Sequence, residues 1–219
     1  MISIGILGGS FDPVHRGHVA LARHARRLLN VDRVLLLPCA VPPHKPGRAL
    51  AARFHRLEML YLATEDQPGL CVSTLEIAGG GVHFTIDTLR ALRGQTPALA
   101  PVFVCGGDAL ADIASWRDYE SLLDEFDFAA VIRREDAGGE RRTDWPAAVR
   151  RRLTPLPRAA GITPGEGGRV FTLDGLVPAV SSSLVRSRCA AGDAIDELVP
   201  ARVARYIQRH RLYSEEAAR

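Results

Sequence analysis

Residues 2–18 read ISIGILGGSFDPVHRGH, and the order of events in that stretch decides the fold. Ile2, Ile4 and Ile6-Leu7 make a short apolar strand, Gly8-Gly9-Ser10 breaks it, and an apolar helix pattern begins near Val19. A glycine break between strand and helix presents backbone N–H groups at a helix N-terminus, where the macrodipole favours an anion. His15 and His18, three positions apart in a first helical turn, would share one face and point at the same spot. That pairing suits a polyphosphate, and it suits transition-state charge rather than acid–base work alone. The competing reading is a polar helix cap, against which the glycines, the strand and the spacing agree. No GxGxxG fingerprint is present, because Gly5, Gly8 and Gly9 lack its spacing, and no GK[ST] marks a P-loop. A nucleotide here would be held by imidazoles rather than by a long glycine cradle.

Working outward, strand and helix patterns alternate, which predicts an α/β fold: a Rossmann-like, doubly wound parallel sheet with helices on both faces. A helix near Gly17–Leu29 leads to Arg33–Leu37, an apolar run typical of a strand buried on both faces, stopped by Pro38. Ala51–Thr64 carries Phe54, Leu57, Leu60 and Tyr61 at helical spacing. Cys71–Thr74 reads as a short strand, Thr85–Leu92 as a helix, and Pro101–Cys105 as a strand ending in Gly106-Gly107. Tyr119–Glu125 reads as helix, Phe126–Ile132 and Val170–Leu173 as strands, and Val199–His210 as a C-terminal helical segment started by Pro200. Ligands of open sheets sit beyond the carboxyl ends of the strands, so both glycine junctions should face one crevice.

The chain reads as a single domain over 1–219, with a surface excursion at 135–168 holding one short helix near Trp145–Leu153. The Arg150-Arg151-Arg152 run reads as a solvated helix face before it reads as a phosphate or RNA patch. Hydrophobic content of 47%, charge of 24% and a net charge of +3 are ordinary for a soluble protein and give no field that argues for nucleic acid. No apolar run approaches the ~20 residues of a membrane helix, and no secretory signal is visible. Cys39, Cys71, Cys105 and Cys189 lack metal-type spacing and read as buried free thiols, which fits the cytoplasm. His24, His55 and His210 fall in helix patterns and are expected to be exposed; His83 lies beside the Thr85 segment without motif support.

GGSFDPVHRGH resembles the opening signature of the HxGH nucleotidyltransferase superfamily, which includes class I aminoacyl-tRNA synthetases. Pro42-Pro43-His44-Lys45, Phe84–Leu89, Gly106-Gly107-Asp108 with Trp116 eight residues on, and Ser181-Ser182-Ser183-Leu184-Val185-Arg186 follow in order. Together they resemble the bacterial nicotinate-nucleotide adenylyltransferases from Ile4 to Tyr213, thinning across 135–168. The resemblance implies adenylyl transfer from ATP to nicotinate mononucleotide, by in-line attack without a covalent protein intermediate. It implies one divalent ion, Mg²⁺, bridging phosphate oxygens and keeping most of its waters, with no direct protein ligand.

The roles it implies are these. His15 and His18 contact the ATP phosphates, His18 stabilising charge at the reacting phosphoryl group. Gly8, Gly9, Ser10 and Phe11 line the nucleotide with backbone groups, and Gly17 belongs to the same ATP-binding signature. Ser181, Ser182, Ser183 and Arg186 form a late helix N-terminus that clamps the β- and γ-phosphates. Gly106 allows close backbone approach, and Asp108 accepts from the ribose hydroxyls. Lys45 meets the mononucleotide phosphate, Trp116 stacks on the pyridine ring, and Thr85 with the backbone near Trp116 binds the nicotinate carboxylate. His44 and Arg134 are weaker members of the mononucleotide site.

The chain departs from the family pattern at Phe84, where tyrosine is frequent, at Ser183 in place of threonine, at Glu135-Asp136 after Arg133-Arg134, and at Cys39-Ala40. Open alternatives are use of nicotinamide mononucleotide as well as or instead of the acid, phosphopantetheine as acceptor, and a non-catalytic nucleotide sensor of the same fold. A synthetase-like reading lacks a KMSKS-type loop. Self-association as a homo-oligomer, metal preference and regulation stay open.

Overall fold

The computed structural model describes residues 2–41, 50–133, 145–156, 167–175 and 177–214. Among the described residues seven strands form one parallel sheet: β1 (Ile2–Gly9), β2 (Arg33–Pro38), β3 (Leu70–Val72), β4 (Leu99–Gly106), β5 (Asp127–Arg133), β6 (Leu153–Thr154) and β7 (Val170–Gly175). Their order is β3-β2-β1-β4-β5-β7-β6, so the chain winds outward from β1 in one direction and then restarts at β4 on its other side. The expected doubly wound sheet is what the chain forms.

Alternation along the strands explains why both faces are covered. Val34 and Leu36 of β2, Val102 and Val104 of β4, and Ala129 and Val131 of β5 turn to one core. Ile4 and Ile6 of β1, Phe103 and Cys105 of β4, and Phe128, Ala130 and Ile132 of β5 turn to the other. A period of two allows no other division. The first face is closed by α1 (Arg16–Leu29), α2 (Arg53–Thr64), α8 (Ser182–Ala191) and α9 (Ala201–Arg209). The second is closed by α4 (Thr85–Gln95), α5 (Gly107–Ala111), the 3₁₀ turn Ile113–Ser115, α6 (Tyr119–Glu125) and α7 (Ala147–Arg150). A short α3 (Leu75–Gly79) follows β3.

Several expectations are corrected. The helix over 53–64 buries Arg56, Met59, Leu60 and Ala63, while Phe54 and Tyr61 are 64% and 44% exposed. The apolar residues mark the wrong stripe because a buried arginine occupies the core-facing one. The stretch 145–156 is not a surface excursion. Trp145, Ala148 and Val149 are buried in the second core, Trp145 Nε1 donates to Gly107 O at 3.0 Å, and β6 extends the sheet edge. Arg152 is drawn off the expected solvated face, donating to Ala148 O at 2.7 Å and pairing with Asp124. Of the four free thiols only Cys105 is buried; the other three are half-buried. His24 and His55 are half-buried as well, bonded to Asp174 O at 2.8 Å and Tyr206 Oη at 2.9 Å.

Candidate active site

The order in which the chain adds strands reverses between the parallel neighbours β1 and β4, and beyond the carboxyl ends of these strands lies a cavity of about 390 Å³. Gly8 and Gly9 at the end of β1 line it with Ser10 just beyond, as do Leu37 of β2, Cys39 just after that strand, and Phe103 of β4. Thr85 and Leu89 of α4, Asp108 and Ala109 of α5, Asp112 and Trp116 complete the wall. Gly8 and Gly9 are glycine for a packing reason: a Cβ on either would sit 3.3 Å from the ring of Phe103 or Phe11. Trp116 meets Phe103 edge-on at 5.7 Å between centroids, which holds the indole upright on an apolar floor.

Glu76 and His83 also line this wall and carry no sequence motif. Glu76 is buried and accepts from Thr88 Oγ1 at 2.7 Å. Burial raises its carboxyl above the usual range, against smaller opposing effects of the Thr88 hydrogen bond and the His83 charge. His83 is anchored by Nε2 donating to Gly80 O at 2.8 Å, which leaves its proton on that nitrogen when neutral.

On the other face of the same strand end, His15 caps α1 rather than lying within it. His18 N donates to His15 Nδ1 and His15 N donates to His18 Nδ1, each at 3.3 Å, a capping box built from two imidazoles. The rings stack with centroids 3.7 Å apart and planes 22° from parallel. Because both Nδ1 atoms accept from the backbone, a neutral ring in either residue carries its proton on Nε2, a donor suited to phosphate oxygen. The first turn offers fewer backbone donors than the sequence implies: Arg16 N goes to Leu198 O at 2.9 Å and His18 N to His15. Gly17 is a packing glycine, since a Cβ there would lie 3.0 Å from the His15 ring and 3.2 Å from Pro178 O. A side chain at position 17 would press on the His15 ring of the stacked pair.

Phe11 is buried with its ring against Gly9 and 4.9 Å from that of His18, and its backbone is left-handed at φ 47°. It joins the cavity wall at Ser10 to the imidazoles. The Ser181–Arg186 segment folds onto this turn from far along the chain. Ser181 caps α8 by accepting from Leu184 N at 3.1 Å, and Ser182 Oγ donates to Pro13 O at 2.9 Å. Arg186 donates through Nη1 to Asp12 O at 2.5 Å and through Nη2 to Ser183 Oγ at 3.1 Å.

Of the expected residues, Gly8, Gly9, Ser10, Thr85, Asp108 and Trp116 line one cavity. His15, His18, Ser183 and Arg186 gather at the turn beside it and do not line it. Gly106 ends β4, where a side chain would collide with the Asp108 carboxylate. His44, Lys45 and Arg134 lie outside the described residues. The sequence missed Glu76, His83, Asp12 and Arg56. Arg56, 1% exposed, is a charge in an otherwise ordinary helix pattern and gave no local signal.

Residues 6–188 match the model of the cytidylyltransferase-like family. A protein of Bordetella petrii described as "Probable nicotinate-nucleotide adenylyltransferase" is 42% identical over 216 residues, covering 97% of this chain and 100% of the relative. One of the same description from Symbiobacterium thermophilum is 41% identical over 213 residues, covering 97% of this chain and 96% of the relative. The fold is similar to that of Plasmodium falciparum nicotinic acid mononucleotide adenylyltransferase complexed with NaAD. That similarity has a TM-score of 0.75 at 19% identity and covers 97% of this chain and 98% of the other.

Proposed function

The chain belongs to the cytidylyltransferase-like family and, within it, to the nicotinate-nucleotide adenylyltransferases; from that premise we propose how its residues carry out adenylyl transfer from ATP to nicotinate mononucleotide. The observation that carries the reading is the join at Gly8–Phe11: on one side the cavity with Trp116 and Thr85, on the other the stacked His15 and His18 with Arg186. A flat aromatic acid fits the first, and a polyphosphate fits the second.

An oxygen of the mononucleotide 5′-phosphate attacks the α-phosphorus of ATP. The bond from that phosphorus to the β-phosphate bridging oxygen breaks, giving nicotinate adenine dinucleotide and pyrophosphate. No side chain acts as nucleophile, so the protein works by alignment and by charge stabilisation. His18 donates from Nε2 to the reacting phosphoryl oxygens, with His15 behind it fixing its tautomer and ring plane. Arg186 and Ser183 hold the departing pyrophosphate; Ser183 Oγ accepts from Arg186 and can donate its own proton to phosphate. Asp108 accepts from the ribose hydroxyls, and Trp116 stacks on the pyridine with Thr85 at its carboxylate. The phosphate side of the site presents imidazole and guanidinium donors, and the Asp12 carboxylate there is turned to Tyr213 and Arg186, an arrangement that suits anions rather than a hard cation that takes oxygen ligands. Mg²⁺ is therefore proposed to enter as part of the ATP complex, where it offsets phosphate charge. Four free thiols fit a reducing compartment, the cytoplasm.

The deciding experiment is pyrophosphate release with ATP and Mg²⁺, comparing the acid and amide mononucleotides. The acid is expected to react far faster. Equal rates would remove Thr85 and its neighbours as a carboxylate pocket, and no release with either would remove the activity.

A further inference from the structure

We propose that Tyr213, on the chain just after α9, is a positioning residue for Arg186, acting through the buried carboxylate of Asp12. The proposal rests on the reading of Arg186 as a triphosphate-binding residue.

Asp12 is 1% exposed, and a carboxylate so placed is costly unless its oxygens and its charge are matched. Its Oδ1 is well supplied, accepting from Tyr213 Oη at 2.8 Å and from Ala51 N at 3.1 Å. Its Oδ2 is buried and makes no hydrogen bond among the described residues. The cation facing Oδ2 is Arg186, whose Nη1 stands 3.6 Å away while donating to the Asp12 carbonyl. The guanidinium is thus attracted by the carboxylate without being captured in a two-pronged pair, the arrangement that would otherwise suit the two groups.

What keeps the pair apart is the orientation of the carboxylate, and Tyr213 sets it. With Oδ1 tied to the phenol and to Ala51 N, the carboxylate cannot turn about its Cβ–Cγ bond to offer both oxygens to Arg186. The phenol remains a donor, since burial and then the neighbouring Asp12 charge push its ionisation well above the usual range. Tyr213 also holds a left-handed backbone at φ 64°, as does Arg211 at φ 49°, where residues with a side chain are disfavoured. The chain turns back after α9 through Leu212 N donating to Ile207 O at 3.0 Å, and that turn delivers the phenol to Asp12.

The test is Tyr213→Phe in the full-length chain, with and without Arg186→Ala. We expect the KM for ATP, and the ATP dissociation constant by calorimetry, to rise about fivefold, the weight of one hydrogen bond. The KM for the mononucleotide should stay within about twofold. In the Arg186→Ala background the ATP effect should vanish, because the residue acted upon is gone. Asp12→Asn, which keeps the Oδ1 acceptor and removes the charge facing Arg186, should likewise change ATP affinity only while Arg186 is present. Equal rises in both KM values, or an undiminished effect without Arg186, would leave Tyr213 a mere fastening of the chain end and overturn the proposal. ATP affinity unaltered by Arg186→Ala would overturn it too. Should the parent protein bind ATP yet form no dinucleotide, the activity reading fails while the binding comparison still decides this one.

Discussion

Arg56→Met is the perturbation that shows how the site is held together. The Arg56 guanidinium donates from Nε to Ala51 O at 3.1 Å, from Nη1 to Ser10 O and Cys39 O at 2.8 Å each, and from Nη2 to Ala40 O at 2.9 Å. Those carbonyls belong to the segments that follow β1 and β2, so one buried cation ties together two of the turns that shape the cavity. A hydrogen bond from a charged donor contributes about 1.5–3 kcal/mol, which over these contacts gives a gross figure of roughly 6–12 kcal/mol. The net loss is smaller, because the unfolded chain no longer surrenders the hydration of a guanidinium and the thioether fills part of the volume. Each buried carbonyl left without its donor costs about 1–3 kcal/mol, and after those offsets the expected net loss is about 3–5 kcal/mol. In urea unfolding, with a slope of about 2 kcal/mol per molar, the midpoint should fall by roughly 1.5–2.5 M. Arg56→Lys keeps the charge but concentrates its donors on one nitrogen, so it should lose at least one contact and fall between parent and Arg56→Met. Both variants should raise the KM for both substrates, since Ser10 and Cys39 line the cavity. A midpoint for Arg56→Met within about 0.5 M of the parent, equivalent to about 1 kcal/mol, would refute the reasoning.

His18→Ala should lower kcat at least ~100-fold, the scale of losing a donor aimed at transition-state charge, while the lost cap costs only about 1 kcal/mol of stability. Turnover within a few-fold of the parent would take His18 out of that role. Trp116→Ala should raise the KM for the mononucleotide about tenfold, within the range for losing one aromatic stack, and leave that for ATP nearly unchanged; a parallel rise in both would place the indole in the core instead. Glu76→Gln tests burial of a carboxyl whose ionisation is shifted up in the fold. The folded state favours its protonated form, so its contribution is intact below the unfolded value of about 4.3 and is lost as pH rises through the folded value. Gln can still accept from Thr88, so the variant should gain stability relative to the parent as pH is raised through that window; thermal melts showing the opposite trend would reject it.

How much was readable beforehand follows the range of the interactions concerned. The alternation in β4 and β5 and the break at Gly8-Gly9 are visible over a handful of residues, and the sheet formed accordingly. The 53–64 helix was recognised but its buried side was not, because spacing reports which apolar residues are neighbours and says nothing of an arginine that finds four carbonyls. Trp145 and β6 were assigned to the surface because arginine, glycine and proline dominate the composition around them, whereas one sheet edge needed covering. Glu76 comes to the cavity from the short α3 and His83 from the turn between α3 and α4, where no spacing rule marks them.

Local chemistry in the chain determined the strand, the glycine break, the paired imidazoles and hence the class of ligand. Gly17 shows why: the His15 ring it must accommodate lies two residues away in the sequence. Tertiary structure alone decided that the imidazoles and the cavity stand on opposite faces of one strand end. It alone decided that Arg186 reaches them through Asp12, and that Tyr213 completes the contact from 201 residues away. Long-range pairing of buried charges depends on which surfaces meet after folding, and no pattern confined to a few turns of chain encodes that meeting.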